Sequence, residues 1–304
     1  MVTKLAVNLS KWTGFSLADI GYLIQSAPRR YKVFSIPKKR GGRREIAQPS
    51  RELKILQTLV VQRVLHFLPV HEAAHGYVSG RGIRSNALTH VNSNYLLKMD
   101  FRDFFPSIRP RDLRAHLDAC GHGALSAEEI AQICNIVFWQ RKGQRALRMC
   151  IGAPSSPFLS NTIMFSLDAR IAEAAVSMGA TYTRYADDLA FSCAEKEVLA
   201  AVERRVTDIV ESSKVPRVSI NQAKTVHISR SQRRMLTGII LNSTCSMSLG
   251  RERKRLIRAM VQRCRLGQLD KDGFERLNGL LAFAQDIEPE FAAKMKGRLG
   301  RSSG

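Results

Sequence analysis

Two stretches, "NYLLKMDF" (94–101) and "TYTRYADDLAFSC" (181–193), constrain this chain more than any other feature. The first is an apolar β run that closes on Asp100, and the second predicts two short strands around a turn holding Asp187 and Asp188. Apolar strands belong in a core, so the chain must carry carboxylates to the edge of its own interior. Two or three carboxylates held together there are costly unless a cation neutralises them. Oxygen-only ligands select a hard ion such as Mg²⁺. If the acidic hairpin pairs beside the Asp100 strand, the three groups can hold two ions about 3.5–4 Å apart, one activating an attacking hydroxyl and one steadying a leaving pyrophosphate. An Asp-Asp turn is common and decides nothing alone.

Around these strands the periodicity alternates between helix and strand. Ser16 followed by Asp19, Ile20, Leu23 and Ile24 predicts a capped helix that Pro28 stops. Residues 31–50 predict two β segments around a basic Gly-Gly turn, and Leu53, Leu56, Leu59, Val60 and Val64 predict a helix from about Arg51 to near Pro69. "RPRDLRAHLDAC" and "SAEEIAQICNIVFW" have helical spacing, the second with a Ser126–Glu129 capping box. Residues 153–179 read as one long buried helix closed by Gly179, residues 195–213 as another helix, and "RRMLTGIILN" as a further strand. After Leu249 the pattern is wholly helical, with Leu256, Ile257, Met260 and Val261 on its first apolar face. The fold class is α+β.

The 304 residues carry 48 Lys and Arg against 26 Asp and Glu, a formal charge of +22, which predicts a polyanionic partner. The cations cluster in "KKRGGRR" (38–44), "RKGQRALR" (141–148), "RSQRR" (230–234) and "RERKRLIR" (251–258). Several separate patches favour nucleic acid over a membrane surface, which is more often met by one basic amphipathic helix. No apolar run approaches the roughly 18 residues that cross a bilayer, and "MVTKLAVNLSKW" lacks a secretory apolar stretch, so a cytoplasmic address is expected. Six scattered cysteines without a C-x-x-C pair predict buried thiols. One motif points elsewhere: "HEAAH" (71–75) spells a zinc-protease signature, which needs a helix to bring both imidazoles to one face. Pro69 and Gly76 bracket it, and Val78 and Arg81 stand where one protease class has Gly and His, so a turn is expected instead.

"TRYADDL" resembles the catalytic motif of reverse transcriptases, "LLKMDFRDFFPSI" their first acidic motif, and "GAPSSP" (152–157) the loop that packs against the incoming nucleotide. "RREIAQPSRELKILQ" is similar to their fingers strand and following helix, "INQAKT" to their lysine motif, and the region from "RRMLTGIILN" onward to a primer grip and thumb. "NALTH" (86–90) and "LTG" (236–238) resemble signatures of the bacterial retron reverse transcriptases in particular. The resemblance spans roughly residues 28–300 and implies a right-hand polymerase: an N-terminal helical segment 1–27, fingers and palm 28–235, and a mainly helical thumb 236–304. Members of that family copy part of a structured noncoding RNA into multicopy single-stranded DNA, starting from the 2′-OH of a guanosine in the same RNA. The implied partners are that RNA, its DNA product, dNTPs and an accessory effector of an anti-phage system. Other bacterial reverse transcriptases, intron-encoded or defence-associated, and a catalytically silent RNA-binding relative are the alternatives.

The resemblance also assigns roles. Asp100, Asp187, Asp188 and the Phe101 carbonyl match the positions that hold two Mg²⁺ ions, and Lys224 matches a lysine that protonates the leaving pyrophosphate. Arg44, Asp103, Phe105, Gly152 and Ala153 match positions around the incoming dNTP. Phe105 stands where RNA-making polymerases carry a carboxylate, so its ring is expected to exclude the ribose 2′-OH and make DNA the product. Ile151 departs from the Gln usual at its position. RNA recognition is expected from Asn86, His90, Thr237 and Gly238, with Arg251, Arg253 and Lys254 gripping phosphates.

Overall fold

The computed structural model describes residues 2–38, 41–121 and 125–300. Lys39 and Arg40 of the basic Gly-Gly turn and the last four residues of the C-terminal segment lie outside that set. The chain opens with helices α1 (Lys4–Thr13) and α2 (Leu17–Ser26), then the hairpin β1 (Tyr31–Pro37) and β2 (Arg43–Pro49). Helix α3 (Arg51–Leu59) runs into a π turn, and α4 (Ile83–His90) leads to β3 (Tyr95–Asp100). Next come α5 (Phe104–Ser107), α6 (Pro110–Cys120), α7 (Ala127–Val137), the short pair β4 (Trp139–Gln140) and β5 (Leu147–Arg148), α8 (Ser156–Ile163) and α9 (Phe165–Ser177). The hairpin β6 (Thr181–Tyr185) and β7 (Asp188–Cys193), helix α10 (Lys196–Glu211) and β8 (Val226–Ile228) complete the larger part. A small sheet, β9 (Arg234–Leu236), β10 (Ile239–Leu241) and β11 (Met247–Ser248), leads to helices α11 (Arg251–Arg265), α12 (Lys271–Ile287) and α13 (Pro289–Gly300).

An antiparallel sheet in the order β6-β7-β3-β8 organises the molecule. Successive side chains of a strand point to opposite faces, and β3 uses both. Leu97 and Met99 enter the large core with Leu189, Phe191 and the helices α1, α2, α3, α6, α7, α9 and α10. Leu96, with Ala190 of β7, enters a second core with Leu236, Ile239 and the C-terminal helices. One sheet therefore joins two cores. Helices α1 and α2 belong to the first of them rather than to a separate segment, because Glu129 Oε1 accepts from Leu5 N at 2.8 Å while its other oxygen caps Ser126 N at 2.9 Å.

The expected helix starts appear where their caps are: Ser16 Oγ accepts from Asp19 N, and Ser126 forms its box with Glu129. Three expectations are corrected. The helix over 153–179 is two helices, since Met164 takes a turn conformation with ψ −9°. "RRMLTGIILN" is a hairpin rather than one strand, because Thr237 and Gly238 both adopt positive φ, 48° and 86°, as a two-residue turn demands. A boundary between residues 235 and 236 consequently falls inside β9. Cys245 is exposed and Cys120 and Cys264 are half-buried, leaving three of the six thiols buried. No described helix is long and apolar enough to cross a membrane.

Residues 71–75 form turns, and they bracket the acidic hairpin from outside. His75 N donates to Arg184 O at 2.8 Å, and Arg184 N donates to Ala73 O at 2.7 Å. The Arg184 side chain points inward to Asp168, with Nη2 to Oδ2 at 2.6 Å and Nε to Oδ1 at 2.8 Å, both groups fully buried. Tyr182 donates its hydroxyl to Asp168 Oδ1 at 2.8 Å. Burial alone would lower the Arg184 pKa, but the Asp168 charge and hydrogen bonds reverse this and leave it raised. Asp168→Asn strands a buried cation and is expected to cost about 3–5 kcal/mol by urea denaturation. Tyr182→Phe, which removes one hydrogen bond, is expected to cost only about 1 kcal/mol in the same measurement.

Candidate active site

The β3–β7 ladder sets Asp100 directly opposite Asp188. Between β6 and β7, Ala186 takes φ 56°, a turn conformation fixed by Arg184 Nη1 donating to Ala186 O at 3.1 Å. Phe101 N donates to Asp187 O at 3.0 Å and Asn221 N to Asp100 O at 2.7 Å, so the backbones of all three segments are locked together. Phe101 itself is buried, leaving only its backbone available to a ligand.

Crowding shows in the electrostatics. Burial, then the Asp187 and Asp100 charges, push the Asp188 carboxyl up to about 6, against relief from Lys98 and Lys224. Asp187 is raised too, mainly by burial and then by Asp100. Among the described residues no three acidic, histidine or cysteine side chains close into a ready ligand cage. Lys224 Nζ instead donates to both oxygens of Asp100, at 2.8 and 2.7 Å. In this structure Lys224 is thus engaged with Asp100. An all-oxygen donor set, partly buried, mutually repelling and already holding one cationic group, fits a hard divalent cation.

The residues expected around a nucleotide approach this site from several elements. Arg44 lies exposed on β2, opposite Ile36, and its charge acts on Asp187. Gly152 abuts the same strand: a Cβ there would meet Ala47 O and Ile46 Cγ2 at 3.0 Å, and its φ is 116°. Ala47 N donates to Ile151 O at 2.9 Å, so the backbone of Ile151 ties the loop to β2 whatever its side chain does. The Ala153 methyl is buried with Ala47, Trp139 and Cys150, which leaves its backbone alone to face a ligand. Asp103 is exposed with φ 44° at the start of α5. On that helix Phe104 is buried, and the half-buried Phe105 meets it edge-on with ring centres 5.2 Å apart.

Beyond geometry, the chain matches known proteins. Residues 36–241 match the family profile of reverse transcriptase (RNA-dependent DNA polymerase). Over 293 residues the chain is 36% identical to the Retron Ec83 reverse transcriptase of Escherichia coli, covering 94% of this chain and 92% of that protein. The chain belongs to the retron-type reverse transcriptases. The Retron Mx65 reverse transcriptase of Myxococcus xanthus is 34% identical over 89% of this chain, which spans 64% of that longer protein. In fold, the enzyme resembles a foamy viral protease-reverse transcriptase solved with double-stranded DNA, at a TM-score of 0.51 and 16% identity, over 89% of this chain and 38% of that one. It is an RNA-directed DNA polymerase with the right-hand fold and with RNA and DNA as partners.

The residues expected to read RNA in this reverse transcriptase are mostly elsewhere. Asn86 and His90 are buried, so neither side chain can touch RNA. Thr183 Oγ1 donates to Asn86 Oδ1 at 2.5 Å, which leaves it to accept from His90 Nε2 at 2.7 Å, with Ser192 donating to His90 Nδ1 at 2.7 Å. Burial, with a smaller contribution from His75, lowers the His90 pKa to about 3, keeping the ring neutral in this role. Arg253 Nη1 donates to Gly238 O at 3.0 Å and its guanidinium lies over Phe283. Lys254 pairs with Glu288 at 2.5 Å, and Glu288 also accepts from Leu249 N. These two cations hold the C-terminal part together, while Arg251 is exposed.

Sequence reasoning missed Arg184, Asp168, Asn161 and Tyr77. Asn161 Nδ2 donates to Gly76 O at 2.7 Å, and a Cβ on Gly76 would meet Ala186 N at 3.0 Å. Tyr77, at a strained φ of 62°, is half-exposed, with its ring centre 6.2 Å from that of Tyr185. The Arg-Tyr pair preceding "ADD" and the Gly-Tyr after "HEAAH" were the only available signals.

A raised carboxyl pKa means that the folded state holds its proton more tightly than the unfolded chain. Stability from Asp188 therefore falls as pH rises from the unfolded value near 3.8 to about 6, and stays low above. Asp188→Asn removes that loss: without divalent cation its melting temperature is expected to exceed the parent's above about pH 6 and to converge with it near pH 4. Added Mg²⁺ is expected to stabilise the parent preferentially and close the gap.

Proposed function

We propose that this reverse transcriptase copies part of a structured noncoding RNA into multicopy single-stranded DNA, primed from the 2′-OH of a guanosine in that RNA. In this reading it works in the cytoplasm with two Mg²⁺ ions, as the polymerase of an anti-phage retron that includes an effector protein. The match to the Escherichia coli Retron Ec83 reverse transcriptase over 92% of that protein carries the retron part of the reading. The opposed Asp100 and Asp188, with Asp187 beside them, support the chemistry.

When bound, the two ions supply Lewis acidity to the priming hydroxyl and to the departing pyrophosphate. Asp100, Asp187, Asp188 and the Phe101 carbonyl are the groups to hold them. Arg44 takes the triphosphate, a use suited to a forked guanidinium on an exposed strand. Gly152 and the Ala153 backbone line the nucleotide on the loop side, with Asp103 at the other edge. Lys224, whose flexible, half-exposed side chain pairs with Asp100, is the group to give a proton to the departing pyrophosphate. Phe105 lies against the sugar and excludes a 2′-OH, while Thr237, Gly238 and Arg251 approach the nucleic acid backbone from the thumb.

Asp187→Asn is expected to reduce DNA synthesis on the noncoding RNA to background while the RNA dissociation constant stays within about threefold, since phosphate contacts dominate affinity. Primer extension and filter binding on the same preparation check both parts. Phe105→Ala is expected to raise ribonucleotide use relative to deoxyribonucleotide by about tenfold or more in competition assays.

A further inference from the structure

A cleft of about 470 Å³ lies at the root of the β1–β2 hairpin, and four of the side chains lining it are cations: Arg30, Lys32, Arg51 and Lys54. None of them belongs to the long basic runs of the sequence. The cleft is separate from the candidate active site, for Gln48 on its wall stands four residues, roughly 13 Å of strand, from Arg44. Its frame is fixed: Ser50 N donates to Arg30 O at 2.9 Å, Arg30 Nε donates to Ser26 Oγ at 2.7 Å, and Gln57 Nε2 donates to Tyr31 OH at 2.9 Å. The nearby carboxylate Glu52 accepts from Ser50 Oγ at 2.8 Å and neutralises at most one of the four charges.

Beside the cleft, the Arg30 guanidinium lies over the ring of Tyr22, 5.1 Å from its centre. Tyr22 is 65% exposed, so this stacked pair presents an open π surface next to a cradle of positive charge. Phosphate recognition needs only the cations. An exposed aromatic beside them adds a platform for an unpaired base, which a duplex cannot offer because its bases are stacked internally. We infer that this cleft is a second RNA site, which takes a single-stranded segment with its phosphates among Arg30, Lys32, Arg51 and Lys54 and one base on the Tyr22–Arg30 stack. It lets the enzyme keep hold of its RNA outside the candidate active site while the template moves through that site.

The test uses the full-length protein, first saturated with a short RNA-template/DNA-primer duplex, then titrated with a labelled oligouridylate of about 20 nucleotides at several salt concentrations. The parent is expected to bind the second strand without losing the duplex. Lys32→Gln/Arg51→Gln/Lys54→Gln is expected to bind it at least about tenfold more weakly, with a salt slope shallower by about 2, at 0.7 per lost single-strand contact. Tyr22→Ala is expected to lose about fivefold or more with an unaltered slope. Both variants are expected to keep the parent's melting temperature and its extension rate on the short primer–template. Should the triple variant unfold, Lys32→Gln alone, at an exposed position, is expected to flatten the slope by about 0.7. The inference is overturned if oligouridylate and the primer–template displace each other, if the charge variants bind as the parent does, or if an RNA duplex of equal length binds as tightly as the single strand.

Discussion

The fully buried ion pair between Arg184 and Asp168 is the interaction on which the rest of the candidate site depends. A charge in the interior survives only when its hydrogen-bonding groups are met. Arg184 meets this requirement by reaching three separate elements: Asp168 on α9, Asn161 on α8, and the carbonyl of Ala186 in its own hairpin turn. Apolar side chains could fill the same space without loss of stability. They could not direct a donor at one carbonyl and thereby hold Ala186 at positive φ. Through its backbone the same residue is clamped by Ala73 and His75, so the turn is held from inside and outside.

Such clamping is needed because the turn carries groups that repel. Asp187 and Asp188 are both raised by burial and by neighbouring carboxylates, a force that would open a loosely held hairpin. The ladder between β3 and β7 prevents opening by pairing Asp100 with Asp188 at its last rung. Lys98 and Lys224 relieve part of the repulsion from the two sides. Lys224 is half-exposed and tethered only through Asp100, so the cation that steadies the site in this structure is also the easiest to displace.

Legibility in the sequence followed the range of the interactions concerned. The acidic strand ends, the helix caps at Ser16 and Ser126 and the β1–β2 hairpin rest on neighbours a few residues apart, and local pattern identified them. The turn nature of "HEAAH" was legible from Pro69 and Gly76, but its purpose was not, because its partner Arg184 lies more than a hundred residues away. "NALTH" misled for the same reason: an Asn and a His look like surface donors until α4 is known to pack on the β6–β7 hairpin, where Thr183 of β6 and Ser192 of β7 consume them. Met164 breaks its helix without glycine or proline, so nothing in the local pattern marked the break.

Charge was the least transferable signal. The basic run "RERKRLIR" spends much of its charge on its own architecture: Arg253 holds the Gly238 turn, Lys254 holds Glu288, and Arg258 lies over Phe291. A helix places consecutive residues on different faces, so a run of cations in sequence is dispersed in space. The cations at the root of the β1–β2 hairpin show the opposite: Arg30 and Lys32 lie at one end of β1, Arg51 and Lys54 on the first turn of α3 directly after β2, and the antiparallel register brings the two groups around one cleft. Polyanions respond to the density of charge at a surface rather than along a chain. On this molecule the pairing of two strands, more than the composition of any one segment, gathers the four cations of this cleft.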